Sequence, residues 1–337
     1  MYSYQDMIKM DQASKECWDR GEKSGLISIG THSLYIEVSG PDRSPGEPII
    51  VLMQGCGSTI NEWVVVKRLV QPFARFLCYD RSGLGKSESP PTTPEMVTAV
   101  SVVTELNTLI QATNIEGPYI IVCHSWGGIT SREFLHLRPH DVAGMVFVDA
   151  NQEKTFLHHE NFPPPCFSSM MAGVDYFKVT GITADTALSD EEFQAVVEAQ
   201  AKPSTQMIEA AEASGAKGDW RVLAAKKQLE MQAMGNRPVS VIHGNTARDF
   251  QRIYEAGVEA GNGTEKEREE FREMVDWWHE TSTVRSKEIL ALSSVNNWRD
   301  TERSGHNIEL IEPGLIVEEI KWVYSQLPQN SNKTADR

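Results

Sequence analysis

Continuous apolar runs alternate along this chain with stretches of helical spacing. Pro48 to Met53 (PIIVLM), Phe76 to Tyr79, Tyr119 to Val122, Val142 to Val148 and Pro238 to His243 (PVSVIH) are short and rich in β-branched or aromatic residues. That pattern predicts strands buried on both faces. Between them, Asn61 to Val70 and Pro94 to Thr113 read as helices, as does the segment after Gly127, with Ile129, Phe134, Leu135 and Leu137 on one side. Leu26 to Ile29 and Leu34 to Val38 flank a Gly30–His32 turn and predict an opening β-hairpin. Alternation of this kind predicts an α/β fold with a mostly parallel sheet wrapped by helices.

The alternation stops after Asp149. From Asn151 to Gly235 the chain is methionine-rich and helical, opened by Pro163-Pro164-Pro165, and Ser189-Asp190-Glu191-Glu192 forms a capping-box signature. A block this long with helices of its own predicts a cap (151–235) inserted into a sheet domain made of 25–150 and 236–327. Residues 1–24 are expected to be an N-terminal extension and 328–337 a disordered tail. After the strand at Pro238–His243 come a charged helix over Glu265–Glu280, with Phe271, Val275 and Trp278 on one side, a weak strand near Val295–Trp298, and a closing helix over Leu315–Leu327.

Composition narrows the function classes. Thirty-two basic against 47 acidic residues give a net charge of −15, a surface that repels nucleic acid and anionic membranes. No run approaches the ~20 apolar residues that span a bilayer, and the polar, mixed-charge start is neither a secretory signal nor a transit peptide. The odd number of widely spaced cysteines (Cys17, Cys56, Cys78, Cys123, Cys166) predicts free thiols in a reducing, cytoplasmic compartment. No Cys/His spacing predicts a metal site, and no cofactor is expected.

The chemistry begins at Ser125, in IIVCHSWGGIT, between a buried strand and an amphipathic helix. A serine on such a sharp turn is a nucleophile elbow, which needs small residues two places before and after it; Cys123 and Gly127 hold those places. Attack on a carbonyl also needs a base, an acid to orient the base, and N–H donors for the oxyanion. The N–H of Trp126 comes from the elbow, and the Gly-rich turn Gln54-Gly55-Cys56-Gly57 offers the N–H of Cys56. Of nine histidines, His306 alone lies in a loop after the last strand; His243 and His140 are easier to explain structurally, and His124 should be directed away from Ser125. The acid is Asp149, at the end of the strand after the elbow, or Asp249 beyond the next strand, or Glu153. In a parallel sheet both strand ends face the rim where ligands bind.

Four ordered motifs then carry a resemblance over roughly Gly25 to Leu327: QGCGS at Gln54–Ser58, YDRSGLGKS at Tyr79–Ser87, CHSWGG at the elbow, and SGHNIELIEP at Ser304–Pro313. The chain resembles the α/β-hydrolases, the superfamily of esterases, lactonases, thioesterases and proline iminopeptidases. The resemblance implies the α/β-hydrolase fold, an eight-stranded, mostly parallel sheet with a helical cap, and a Ser125–Asp149–His306 triad, since the acid often follows the strand after the elbow in similar enzymes. The chain departs from the pattern at Gln54, where histidine is usual, at Cys123 in place of the first elbow glycine, and after Gly244, where no close Gly-x-x-Asp follows.

A serine at the elbow argues against dehalogenase and epoxide hydrolase chemistry, whose relatives use a carboxylate there. The expected reaction is cleavage of an ester, lactone or thioester through an acyl-serine, on a small-molecule acyl substrate that is free or delivered on a carrier. Capture of the same acyl group by a hydroxyl is the near alternative. Peptidase action, with Asp175, Glu191 and Glu192 holding an α-amine, and a ligand-binding role without catalysis are the remote ones. Phe167, Met170, Met171, Tyr176, Phe177, Met207, Met231 and Met234 in the cap fit either a cap core or a flexible apolar lid over a medium-sized hydrophobic acyl group.

Overall fold

The computed structural model describes residues 17–92, 94–155 and 163–328. The expected disordered tail from 329 on, most of the N-terminal extension and residues 156–162 of the expected cap lie outside the described residues.

Eight strands form one sheet in the order β1-β2-β4-β3-β5-β6-β7-β8. They are β1 (Lys23–Ser28), β2 (Ser33–Ser39), β3 (Ile49–Met53), β4 (Arg75–Tyr79), β5 (Tyr119–His124), β6 (Val142–Val148), β7 (Val239–His243) and β8 (Asn296–Asp300). β2 runs antiparallel to β1 and β4, and every later pairing is parallel. β3, β4, β5 and β7 are buried at every position, whereas the edge strand β1 alternates half-buried with exposed. The α/β-hydrolase fold expected from the sequence is the fold observed.

Because side chains alternate across a strand, each apolar run feeds two cores. Ile49, Val51, Met53, Ile121, Cys123 and Phe147 face one side. There they meet α2 (Ala99–Thr113) and α3 (Gly127–Leu137) through Val103, Leu106, Leu109, Phe134 and Leu135. Ile50, Leu52, Ile120, Val122, Val146 and Val148 face the other side, against α1 (Val64–Val70) and α12 (Pro313–Gln326). The helix expected from Pro94 begins only at Ala99. Thr98 is extended and caps it, and the N–H of Val97 goes to the carbonyl of Ala211 instead of into a helical turn.

Above the sheet lie α4 (Pro165–Met170), α5 (Tyr176–Val179), α6 (Ile182–Asp185), α7 (Asp190–Ala201) and the long α8 (Pro203–Ala224). The capping box at Ser189 forms as expected, with Glu192 returning the bond. Two further helices follow β7: α9 (Thr246–Glu259), which the sequence reading left unassigned, and α10 (Glu265–Glu288), longer than expected. They share one apolar cluster with α4, built on Cys166, Met170, Phe250, Ile253, Phe271, Met274 and Trp278. Helices from both sides of β7 therefore form one layer over the strand ends. The short α11 (Ile308–Ile311) follows His306.

Candidate active site

Ser125 leaves β5 with φ at 53°, a left-handed backbone that a serine adopts only under constraint. Parallel pairing of β5 with β3 and β6 brings the ends of three strands to the same edge. The turn into α3 is then so tight that a Cβ on Gly127 would lie 2.1 Å from the carbonyl oxygen of Met53. A Cβ on Gly55 would likewise fall 2.9 Å from that of Ser125, so glycine is what lets the Gln54–Ser58 turn close over the serine. The Ser125 carbonyl accepts from the N–H of Asn151 at 2.8 Å and of Gly128 at 2.9 Å. In a planar trans peptide the N–H points opposite to the C=O, so these two bonds fix the direction of the Trp126 N–H.

His306 is held at three points. Its Nδ1–H donates to Asp149 Oδ2 at 2.7 Å, its backbone N–H donates to Asp249 Oδ2 at 3.0 Å, and its carbonyl accepts from His124 Nε2–H at 2.9 Å. The tautomers follow from these partners. Asp149 is itself oriented by the Thr246 hydroxyl at 2.6 Å and the Gly244 N–H at 3.1 Å. Of the three candidate acids, then, Asp149 meets the imidazole. Asp249 takes the histidine's backbone and the Arg248 guanidinium, and Glu153 pairs with buried Arg132.

Electrostatics follow the geometry. Burial disfavours a charged His306, but the hydrogen bond and charge of Asp149, with the charges of Glu309 and Asp249, outweigh it and raise its pKa. Burial pushes the Asp149 carboxyl up, yet His306, His243 and Thr246 bring it below the ordinary value. His124 drops to about 3 through burial and the neighbouring His306, so it stays neutral. Burial pushes the Cys56 thiol well up, consistent with a bystander whose backbone, not its sulfur, matters.

A cavity of about 460 Å³ opens at this edge. Ser125, His306 and the Gly55–Ser58 turn line it together with Phe167, Tyr176, Phe177, Phe250 and Trp278, and with the carboxylates of Glu62, Glu209 and Asp249. Of the two readings open for the cap methionines, core or lid, the cavity wall does not favour the lid: none of Met170, Met171, Met207, Met231 and Met234 lines it. Met170 is fully buried under α9 and α10, Met234 belongs to the sheet core, and Met207 and Met231 are on the surface. Asp175, Glu191 and Glu192 are also absent from the wall: Asp175 caps α5, and Glu192 closes the capping box and pairs with Arg68. Thr246, Glu62 and Glu209 are residues the sequence reading missed. Only the Gly244-Asn245 break ahead of a helical repeat could have pointed to the first. Among the described residues no cluster of His, Cys, Asp and Glu could hold a metal ion, and no helix is long and apolar enough to cross a membrane.

The family model described as the alpha/beta hydrolase fold matches residues 47–252. The chain belongs to the α/β-hydrolase family. An AB hydrolase superfamily protein of Gibberella zeae is 31% identical over 86% of this chain and 90% of its own length. A protein of Hormonema carpetanum named as a probable transporter is 33% identical over 90% of this chain, which spans only 43% of that relative. Among solved α/β-hydrolases, the 2-hydroxy-6-oxo-6-phenylhexa-2,4-dienoate hydrolase of Rhodococcus sp. has the same fold, with a TM-score of 0.61 at 16% identity over 90% of this chain and 99% of that one. As a member of this family the chain is a hydrolytic enzyme.

Proposed function

We propose that this α/β-hydrolase is a serine hydrolase that cleaves an ester, lactone or thioester through an acyl-serine at Ser125. The observation that carries the reading is the 2.7 Å Asp149–His306 bond at the wall of a cavity shared with a serine on a strained strand-to-helix turn. His306, neutral at Nε2, takes the Ser125 proton as the hydroxyl attacks the carbonyl carbon. The oxyanion receives the N–H groups of Trp126 and Cys56. The imidazolium, stabilised by Asp149, then protonates the leaving group. Water, activated by the same imidazole, attacks the acyl-serine and releases the acid.

The aromatic wall from Phe167, Phe177, Phe250 and Trp278 supports an acyl group of medium size and apolar character, and about 460 Å³ is ample for it. Among the described residues neither a lysine nor an arginine lines the cavity, so nothing described there favours an anionic handle on the substrate.

A fluorophosphonate probe tests the reading directly. The protein should be labelled at Ser125 and lose its ester hydrolysis in step with labelling, whereas Ser125→Ala should take no label and keep its melting temperature within a few degrees. Near-parent kcat in Ser125→Ala would refute the acyl-serine mechanism, because loss of the triad serine leaves only binding and the oxyanion hole to act.

A further inference from the structure

Both halves of the oxyanion hole are tied to one helix of the layer above the sheet. Glu212 and Asp219 lie two turns apart on α8, so they face the same way, and both are buried. Glu212 Oε2 accepts the N–H of Gly57 at 2.7 Å, and its carboxylate pairs with the Arg81 guanidinium at 2.6 and 2.9 Å. Arg81 in turn donates to the carbonyls of Gln54 at 3.2 Å and Gly55 at 2.6 Å. The Gly55 carbonyl and the Cys56 N–H belong to one planar peptide and point in opposite directions. Holding that oxygen on Arg81 therefore aims the Cys56 N–H the other way. The Glu212–Gly57 bond fixes the next peptide plane along. On the other side Asp219 Oδ2 accepts the indole N–H of Trp126 and the N–H of Ala99, both at 3.0 Å, and so anchors the side chain of the residue whose backbone N–H is the second donor.

A buried ion pair is a poor source of net stability, since desolvation of two charges offsets most of their attraction. Arg81–Glu212 is nevertheless fully satisfied, and its remaining bonds all end on the turn that closes over Ser125. The geometry points to Glu212, acting through Arg81, and to Asp219 as positioning residues for the oxyanion hole. On that assignment the hole is complete only with α8 seated on the sheet. This inference rests on the acyl-serine reading and deepens it: the layer above the sheet does more than wall the cavity, because α8 positions the donors that stabilise the transition state. Neither residue touches the substrate, so their removal should lower kcat and leave KM nearly unchanged, as expected for donors used only in the transition state.

The test compares Glu212→Gln, Trp126→Phe and Lys226→Met with the parent. The readouts are the second-order rate of fluorophosphonate labelling at Ser125 and kcat and KM on p-nitrophenyl butyrate. Lys226→Met is the control, because Lys226 ties α8 and its following turn to Glu133 on α3 without touching either donor peptide. Removing one oxyanion donor outright costs on the order of 10²–10³-fold, and misaiming one should cost somewhat less. Glu212→Gln is therefore expected to slow labelling and kcat by about 10–100-fold with KM within about threefold, and Lys226→Met to change either by no more than about twofold. Trp126→Phe, which leaves Asp219 bonded to Ala99, should slow both several-fold and is read by the same criterion if Glu212→Gln fails to give a cooperative melt. Labelling at the parent rate in the folded variants, or an equal loss in Lys226→Met, would overturn the positioning role while leaving the acyl-serine in place. A parent protein that takes no label at Ser125 would instead remove the acyl-serine reading on which it rests.

Discussion

Asp149 and Asp249 stand on the same histidine but do different work, and their amide variants should separate them. On the proposed acyl-serine mechanism, asparagine at 149 keeps the shape of the side chain while losing the charge that would stabilise the imidazolium and the preference for the Nδ1–H tautomer. A loss of about 10⁴ in kcat/KM is expected, the size seen in the serine-protease case. Asp249→Asn can still accept the His306 N–H through its amide oxygen, so a drop of at most about tenfold is expected; the reverse order would mean that the acid lies after β7. The pH profile adds a sign. As the proposed base, His306 must be neutral to act, and its pKa is raised because Asp149, Glu309 and Asp249 outweigh burial. The acid limb of kcat/KM should therefore lie above the ordinary imidazole value of about 6.5. Asp149→Asn removes the strongest raising partner, so the limb of its residual activity should move to lower pH. A limb that stays in place in the variant would show that another group titrates. These roles were only partly legible from residue types. Spacing put His306 and three carboxylates near one rim, but which oxygen meets Nδ1 depends on the left-handed turn at Asp149 (φ 37°) and on Thr246.

At the scale of elements, the strands were legible because burial on both faces leaves a run of apolar residues that nothing else in the chain imitates. Val142–Val148 is found at the expected residues. Helix α9 was not, for a physical reason: of the residues that TARDFQRIYEAGVE buries only Phe250 and Ile253 are large and apolar, beside Ala247 and Gly257, and its first turn holds the Arg248 and Asp249 that look like a polar loop. The start of α2 was misjudged because a tertiary bond from Val97 to Ala211 overrides an apolar periodicity that continues upstream. Periodicity in the cap likewise could not say which face of a helix meets the cavity. Met170 packs so closely on α9 and α10 that a Cβ on Gly257 would come 2.7 Å from its terminal methyl. Met170→Ser should therefore lower stability, by about 2–5 kcal/mol as for other truncated core residues, and leave the ratio of hexanoate to acetate hydrolysis unchanged. Phe177→Ala should do the opposite. Phe177 is half-buried and lines the cavity, so the variant should lose rate on the hexanoate ester in preference to the acetate. About 0.8 kcal/mol per buried CH₂ sets the scale of that preference. Equal losses on both esters would place Phe177 outside the acyl pocket.

For the whole molecule, charge and topology act together. The net charge of −15 spreads a negative field over the surface, and the parallel sheet gathers its ligand edge beneath a layer that contributes more carboxylates than cations. Glu62, Glu209 and Asp249 line the cavity, and among the described residues no lysine or arginine does. Burial raises Glu62 to about 7, so this carboxyl carries a full charge only above neutral pH. An acyl chain ending in a carboxylate should therefore be a poorer substrate than a neutral chain of equal length. Two like charges roughly 8 Å apart repel by about 2 kcal/mol at an effective dielectric near 20, enough for more than a tenfold loss in kcat/KM. The comparison is p-nitrophenyl butyrate against the p-nitrophenyl monoester of succinate. The penalty should grow as pH rises from 6 to 8, because Glu62 ionises over that range while the succinate carboxylate is already charged. Glu62→Gln should flatten this growth without changing the butyrate rate at pH 6, where Glu62 is mostly protonated in the parent. The part of the penalty that comes from the surface field should shrink between 0.05 and 0.5 M salt, where screening shortens its reach, and the part that comes from the buried cavity wall should persist. Equal rates on the two esters, or a preference for the succinate, would mean that the bound acyl chain never faces the carboxylates, and would move its path to the aromatic side at Phe250 and Trp278.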